Sequence, residues 1–305
     1  MTKLKHFPKI SIVMPSYNQC GYLNEAMESI LQQKYPNLEL IVMDGGSTDR
    51  SVDIIKKYQE HITYWQSEAD GGQANAINKG WGKSTGEIVT WLNSDDLLEP
   101  NVLHSVAREF MKSNKVSLVV GSCRSIDVAG KQIGIKNVIG WNKNTLLFGQ
   151  SFGQPATFIA RDVIDSLGML DPKLNFALDW AFFLKILFSI ADETITYLPE
   201  TLAISREYEG TKSRTGLAKK GRERRQVLKA YRKNILKLIT IGDFRKAIAG
   251  TYWVQGTDSY LAGCYVQAIM CGLKASIYAP LDLINKIAKL GWLTSEAQRR
   301  KVEQV

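Results

Sequence analysis

Two periodicities alternate along the first 120 residues, and that alternation restricts the fold more than any other feature of the chain. Ile10-Ser11-Ile12-Val13-Met14 is a short apolar run closed by Pro15, as a buried strand would be. Residues 21–33 (GYLNEAMESILQQ) then place Leu23, Ala26, Met27, Ile30 and Leu31 at helical spacing. The pairing repeats. LELIVM (38–43) precedes a helix from about Asp49 to Tyr58, and ITYWQ (62–66) one from about Gly72 to Gly80. EIVTWL (87–92) precedes a helix after Pro100, and VSLVV (116–120) comes after it. Apolar runs without polar alternation are strands buried on both faces. This order therefore predicts an α/β fold, a mostly parallel sheet with helices on both sides.

In such sheets ligands gather at the carboxyl ends of the strands. That rim carries Pro15-Ser16-Tyr17-Asn18, Asp44-Gly45-Gly46-Ser47, Glu68-Ala69-Asp70-Gly71-Gly72 and Asn93-Ser94-Asp95-Asp96. The last turn constrains the chemistry most, because an apolar run delivers two adjacent carboxylates against both repulsion and desolvation. Hard divalent cations take oxygen ligands. A turn with closely spaced carboxylates holds Mg²⁺ or Mn²⁺ while leaving positions for a diphosphate. The competing expectation is that Ser94 or Asp96 caps the following helix. Asp44 and Asp70 have a matching alternative, in which each closes its own turn.

From about 121 to 211 the pattern loosens into short strand-like pieces around helices near 161–167 and 178–190. Beyond 212 it becomes helical, with breaks expected near Gly242, Gly256 and Pro280. Charge changes at the same place. Residues 1–211 hold 20 Lys/Arg and 24 Asp/Glu, a net −4, whereas 212–237 hold 11 Lys/Arg against the single Glu223. So local an asymmetry predicts a boundary, domain 1–211 and extension 212–305, and an anionic partner at the extension. It argues against a nucleic-acid binder. Residues 222–239 place Leu228, Tyr231, Ile235 and Leu238 on one face, flanked by Arg225, Lys229, Arg232 and Lys233. Such a helix suits an anionic membrane surface, or packs on the protein with a solvated cationic rim. Residues 260–279 are apolar but broken by Gln267 and Lys274, and a packed core helix is expected there.

Cys20, Cys123, Cys264 and Cys271 form no C-x-x-C pair, and the basic start MTKLKHFPKI has no apolar stretch behind it. Both features fit a reducing cytoplasm, with the extension allowing peripheral attachment to the inner face of the cell membrane. A dinucleotide oxidoreductase would need G-x-G-x-x-G after the first strand, and PSYNQCG (15–21) does not supply it.

SIVMPSYN (11–18), IVMDGGSTDRS (41–51), EADGGQANAINKG (68–80), TGEIVTWLNSDD (85–96) and LDWAFFLKI (178–186) occur in this order at suitable separations. Together they resemble a family 2 glycosyltransferase of the GT-A fold, over roughly residues 8–210. The resemblance implies a nucleotide-binding half at about 8–120 and an acceptor half at about 121–211. The implied reaction moves a sugar, with inversion, from a nucleoside-diphosphate donor (a UDP-sugar) to a hydroxyl of a glycan or lipid-linked acceptor. It also implies a role in building polysaccharide of the cell envelope.

Residue by residue, the resemblance puts the base on Pro15, Ser16 and Tyr17, and sets Asp44 and Asp70 against base or ribose. The family's Asp-Asp-Gly-Ser reads Asp44-Gly45-Gly46-Ser47 here. The Asp-x-Asp signature maps onto Asn93-Ser94-Asp95, with Asp95 as the ligand of a divalent metal and the donor's diphosphate completing the charge. Asp179, at the start of a helix, corresponds to the catalytic base. Gln154-Pro155 corresponds to the acceptor side. Arg206 corresponds to a diphosphate contact on a segment that closes over the donor, where Tyr208 replaces a common histidine. Asn93 and Leu178 depart from the family pattern. They favour the alternative of a catalytically inactive glycan-binding or scaffold protein of the same fold.

Overall fold

Strands buried on both faces need neighbours on both edges, and the chain supplies them in one sheet. The computed structural model describes residues 7–139, 143–147, 152–212, 216–237, 239–261 and 263–279. It divides into two compact units, Met1–Leu146 with Gln150–Arg214 and Leu147–Gly149 with Thr215–Val305. The first unit opens with β1 (Ile10–Ser16), α1 (Leu23–Leu31), β2 (Leu38–Asp44), α2 (Ser51–Lys57), β3 (Tyr64–Ser67), α3 (Gln73–Lys83) and β4 (Ile88–Trp91). Next come β5 (Leu97–Leu98), α4 (Val102–Lys112), β6 (Leu118–Ile126), β7 (Gln132–Lys136) and α5 (Lys143–Leu147). It closes with β8 (Thr157–Ala160), α6 (Arg161–Leu167), α7 (Leu178–Leu187) and β9 (Ile195–Arg206).

The spatial order is β3-β2-β1-β4-β8-β6-β9-β5, with β7 paired to β6. Parallel pairing holds from β3 through β4 and again between β6 and β9. The ATFIA strand, β8, enters antiparallel between β4 and β6, so the second half of the sheet is mixed. Strand side chains alternate between faces. Ile10, Ile12, Met14, Leu40 and Val42 share a core with Leu23, Met27 and Ile30 of α1, Ile55 of α2, and Leu103 and Val106 of α4. Val13 and Met43 face the other side, against α3. There Trp91 of β4 meets Trp81 at 5.5 Å and stacks on Phe183 of α7 at 5.8 Å. All three rings are almost wholly buried. Aromatic pairs of this kind contribute ~0.5–1.5 kcal/mol beyond their burial, which fixes α7 against β4.

Pro15 sits inside a strand with neighbours on both sides, where a missing N–H normally costs a ladder bond. Successive residues of β1 point alternately to β4 and β2: the Val13 carbonyl accepts from Leu92 N, and the Ser16 carbonyl from Gly45 N at 2.8 Å. Pro15 therefore points toward β4, whose pairing with β1 ended at Trp91. No donor is needed there, and β1 and β2 continue alone to the rim.

The second unit is helical: α8 (Leu217–Ala230), α9 (Arg232–Ile235), α10 (Ile241–Leu261) and α11 (Tyr265–Tyr278). The break expected near Gly242 falls just before it, between the end of α9 at Ile235 and the start of α10 at Ile241, whereas the one expected near Gly256 is absent, since Gly256 lies inside α10. Gly256 is a contact residue: a side chain there would start 3.1 Å from Cβ of Cys271, so its lack of one lets α10 and α11 approach closely. The chain turns instead at Gly263, with φ +76°. Pro280 and Leu238 lie outside the described residues. The expected single helix over 222–239 stops at Ala230 and restarts as α9. Leu228 and Ile235 are fully buried. Arg225 donates to Thr251 at 3.0 Å and Gln255 at 2.7 Å, with its guanidinium 3.9 Å above the Tyr252 ring.

Candidate active site

The rim loops are tied to one another by their own polar side chains. Asn18, in the left-handed region at φ 51°, accepts from Thr48 N at 2.8 Å, and its own N–H donates to the Ser47 hydroxyl at 2.8 Å. Asp44 is buried and accepts four hydrogen bonds, from Gly46 N, Ser47 N, the Ser47 hydroxyl and the Ser67 hydroxyl. Its carboxylate closes the β2 loop and ties it to the end of β3. Asp70 accepts from Gly72 N at 2.6 Å. A side chain at Gly45 would begin 3.0 Å from Oδ2 of Asp70. Asp70 therefore brings a carboxylate to the place where the family's second acid would project. Tyr17 stands 61% exposed on the rim, while the Ser16 hydroxyl is buried with no hydrogen-bond partner among the described residues.

At the end of β4 the chain makes a turn, with Asp96 N bonded to the Asn93 carbonyl at 3.0 Å. The turn leads into the two-residue strand β5, so neither Ser94 nor Asp96 caps a helix. Asn93 spends its whole amide: Oδ1 accepts from Gln73 at 2.7 Å, and Nδ2 donates to Asp96 at 2.9 Å and Gln154 at 3.4 Å. Asp96 also accepts from Arg206 N at 3.3 Å, which binds the turn to the end of β9. Asp95 accepts from the Tyr208 hydroxyl at 3.0 Å, and that hydroxyl also meets Gln19. The Tyr208 ring lies 4.9 Å from Tyr22.

Burial raises the Asp95 carboxyl above the ordinary carboxylate range, although the Tyr208 hydrogen bond and the Arg206 charge pull it down. Asp96 is raised by burial first and by the Asp95 charge second. Two desolvated neighbouring acids resist ionising together, and a cation beside them lets both give up their protons. Among the described residues no cluster of three His, Cys, Asp or Glu side chains is placed to hold a metal by itself. The donor set fits a magnesium-type ion bound by one carboxylate and completed by a ligand's phosphates. Asp95 is the carboxylate that fits, because Asp96 is engaged by Asn93 and Arg206 N.

Arg206 is buried, paired with Glu25 at 2.6 Å and set 4.9 Å from the centre of the Tyr22 ring. Its charge reaches Asp95 through space. Beyond it, Lys212 donates to Gln73 at 3.1 Å and Asn175 at 2.6 Å, joining the start of α3 to the segment that leads into α7. Asp179 occupies the first turn of α7, with Oδ1 on Trp180 N at 2.7 Å. Gln154 is buried, donating to the Trp91 carbonyl at 2.7 Å. The structure thus gathers Asn93, Asp95, Asp96, Gln154 and Arg206 with Gln19, Tyr22, Gln73, Asn175 and Lys212. The first three of those last five carry no sequence signal as single neutral residues. Lys212 opens the basic run that begins at 212, and Asn175 lies three residues before LDWAFFLKI (178–186), outside the patterned segments.

The Glycosyl transferase family 2 model matches residues 11–162. An uncharacterized glycosyltransferase of Haemophilus influenzae is 34% identical over 189 residues, 60% of this chain and 73% of that protein. The uncharacterized glycosyltransferase alr2836 of Nostoc is 34% identical over 41% of each chain, so against that relative the chain spans well under half the length. Among solved structures, S. aureus TarS 1–349 in complex with UDP-GlcNAc superposes with a TM-score of 0.60 at 17% identity, covering 88% of this chain and 91% of that one. The Pyrobaculum calidifontis mannosyltransferase PcManGT, in complex with GDP-Man and Mn²⁺, gives a TM-score of 0.56 at 18% identity, covering 95% of this chain and 81% of that one. At these identities the superpositions speak for the GT-A-like fold.

Proposed function

The chain belongs to glycosyl transferase family 2, and on that premise we propose that it transfers a sugar with inversion from a UDP-sugar to a hydroxyl of a glycan or lipid-linked acceptor. The observation that carries this reading is the desolvated Asp95–Asp96 pair, set on a rim where the β1, β2 and β4 loops meet the approach to α7. Tyr17, Ser16 and Pro15 take the base, with Asp70 beside it. Asp44 acts from inside its loop by holding that surface in shape. Asp95, with the donor's phosphates, would hold a divalent ion such as Mg²⁺ or Mn²⁺, which would supply neutralisation of the charge on the departing diphosphate.

Asp179 is the general base. The acceptor oxygen forms its bond to the anomeric carbon as the bond from that carbon to the diphosphate oxygen breaks. The hydroxyl proton passes to the Asp179 carboxylate, and the electron pair leaves with the nucleoside diphosphate. Lys212, held by Gln73 and Asn175, presents a cation toward the same diphosphate, and Arg206 acts on it through Asp95. Asn93 needs no charge of its own in this scheme, because its amide serves as the brace of the turn. The proposal extends, by analogy with the family alone, to a bacterial role in building surface polysaccharide.

The test is slow donor hydrolysis across a panel of nucleotide sugars with Mn²⁺. Release of nucleoside diphosphate is expected to depend on metal. A positioned base contributes ~10²–10⁴-fold, so D179N should lose about that factor. Full activity in D179N would remove Asp179 from the mechanism, and no release from any donor would favour the inactive scaffold.

A further inference from the structure

Helix α11 is built inside out. Its small residues Cys271 and Ala275 are buried against α10, while Tyr265, Val266, Ile269, Met270, Leu273 and Ile277 are all roughly half to three-quarters exposed. At 100° per residue those six fall within one arc of about 140°, a continuous apolar face rather than scattered surface residues. The apolar pattern over 260–279 predicts a core helix, and the close approach at Gly256 explains the difference. Contact between the helix backbones uses the small side, which leaves the large side chains outside.

We propose that this face docks α11 lengthwise onto an anionic lipid bilayer. Charge selects the occupant. No carboxylate lies on α11, and Lys274 borders the arc. Arg245 of α10, itself exposed, donates to the Ile277 carbonyl at 2.9 Å and sets a second cation beside the helix's far end. Over α10 and α11 themselves the balance is three Lys/Arg against two Asp/Glu, so the cations that count are the two placed at the face. A purely apolar protein partner would give Lys274 and Arg245 no role, whereas anionic headgroups beside an apolar face use both features. Exposed Tyr260 and Tyr265, edge to face at 5.6 Å, stand at the near end, and tyrosine is favoured at membrane interfaces. The helix lies in the plane, since among the described residues no helix is long and apolar enough to cross a membrane. The lipid surface is thereby assigned to α11, not to 222–239, whose Arg225, Leu228 and Ile235 are turned into the unit.

The experiment is cosedimentation of the full chain with phosphatidylcholine vesicles, with and without phosphatidylglycerol, at low and high salt. Binding is expected with phosphatidylglycerol, weakening as salt rises. The double variant I269E/L273E should partition roughly tenfold less well while keeping its thermal midpoint and its donor hydrolysis. K274E with R245E should lose the preference for phosphatidylglycerol. Four results would each overturn the proposal. The variant could sediment like the wild type, or neither could bind vesicles. Equally, the wild type could self-associate in ultracentrifugation where I269E/L273E is monomeric, which would make the face a contact between copies. A large fall in the variant's midpoint would overturn it too, by showing that the chain itself covers the face.

Discussion

Tyr208 is the residue on which the site's readiness turns. Burial and the Asp95 charge push its phenol up to about 12, so at ordinary pH it stays protonated and keeps donating to Asp95. A hydrogen bond to a charged group contributes ~1.5–3 kcal/mol, and a metal approaching Asp95 through Oδ2 competes with it. Y208F keeps the ring on Tyr22 and removes that competition. It is expected to tighten Mn²⁺ binding in the presence of UDP by roughly threefold to tenfold in calorimetric titration; weaker binding would make the phenol a ligand instead. The neighbouring acids set a pH dependence. Both titrate above the ordinary carboxylate value, so the fold holds protons that the unfolded chain releases above about pH 4. Without metal, stability from this pair is complete below that pH and is lost as pH rises through the raised values. D96N should therefore raise the thermal midpoint at pH 8 and leave it nearly unchanged at pH 4, as scanning calorimetry would read.

At the scale of elements, the first half is legible in the sequence because one rule governs it. Ile10–Ser16, Leu38–Asp44 and Ile88–Trp91 are largely apolar and buried on both faces, and helices between them repeat at 3.6 residues. Asp95 stands out for the same reason, a charge at the end of a buried run. Tyr208 stands out only as the replacement for a histidine, and Gln73 and Lys212 not as single residues at all, because which loops they join leaves no record in local pattern. The second unit departs from its pattern where glycine serves contact rather than turning: Gly256 looks like a break and is a packing residue. Introducing Val there drives a branched side chain toward Cys271. Overpacking typically costs ~1–3 kcal/mol, so G256V should lower stability by about that amount in urea denaturation and loosen α11 first in hydrogen exchange.

At the scale of the whole molecule, the proposed chemistry has the donor supply part of its own site. Metal and nucleotide should therefore stabilise the protein jointly. Mn²⁺ with UDP at ~100 times the dissociation constant is expected to add about 2.7 kcal/mol, and either alone much less, in thermal-shift measurements. The order β4-β8-β6 also has a bearing on biosynthesis. As the polypeptide leaves the ribosome, β4 has β1 on one side and nothing on the other until Thr157–Ala160 has been made. Its far border is meanwhile open to the wrong neighbour. The turn at 93–96 waits longer still, for Arg206 and Tyr208. A nascent chain stalled before residue 157 would thus carry every nucleotide-side motif and none of the finished pocket, so competence arrives late and all at once.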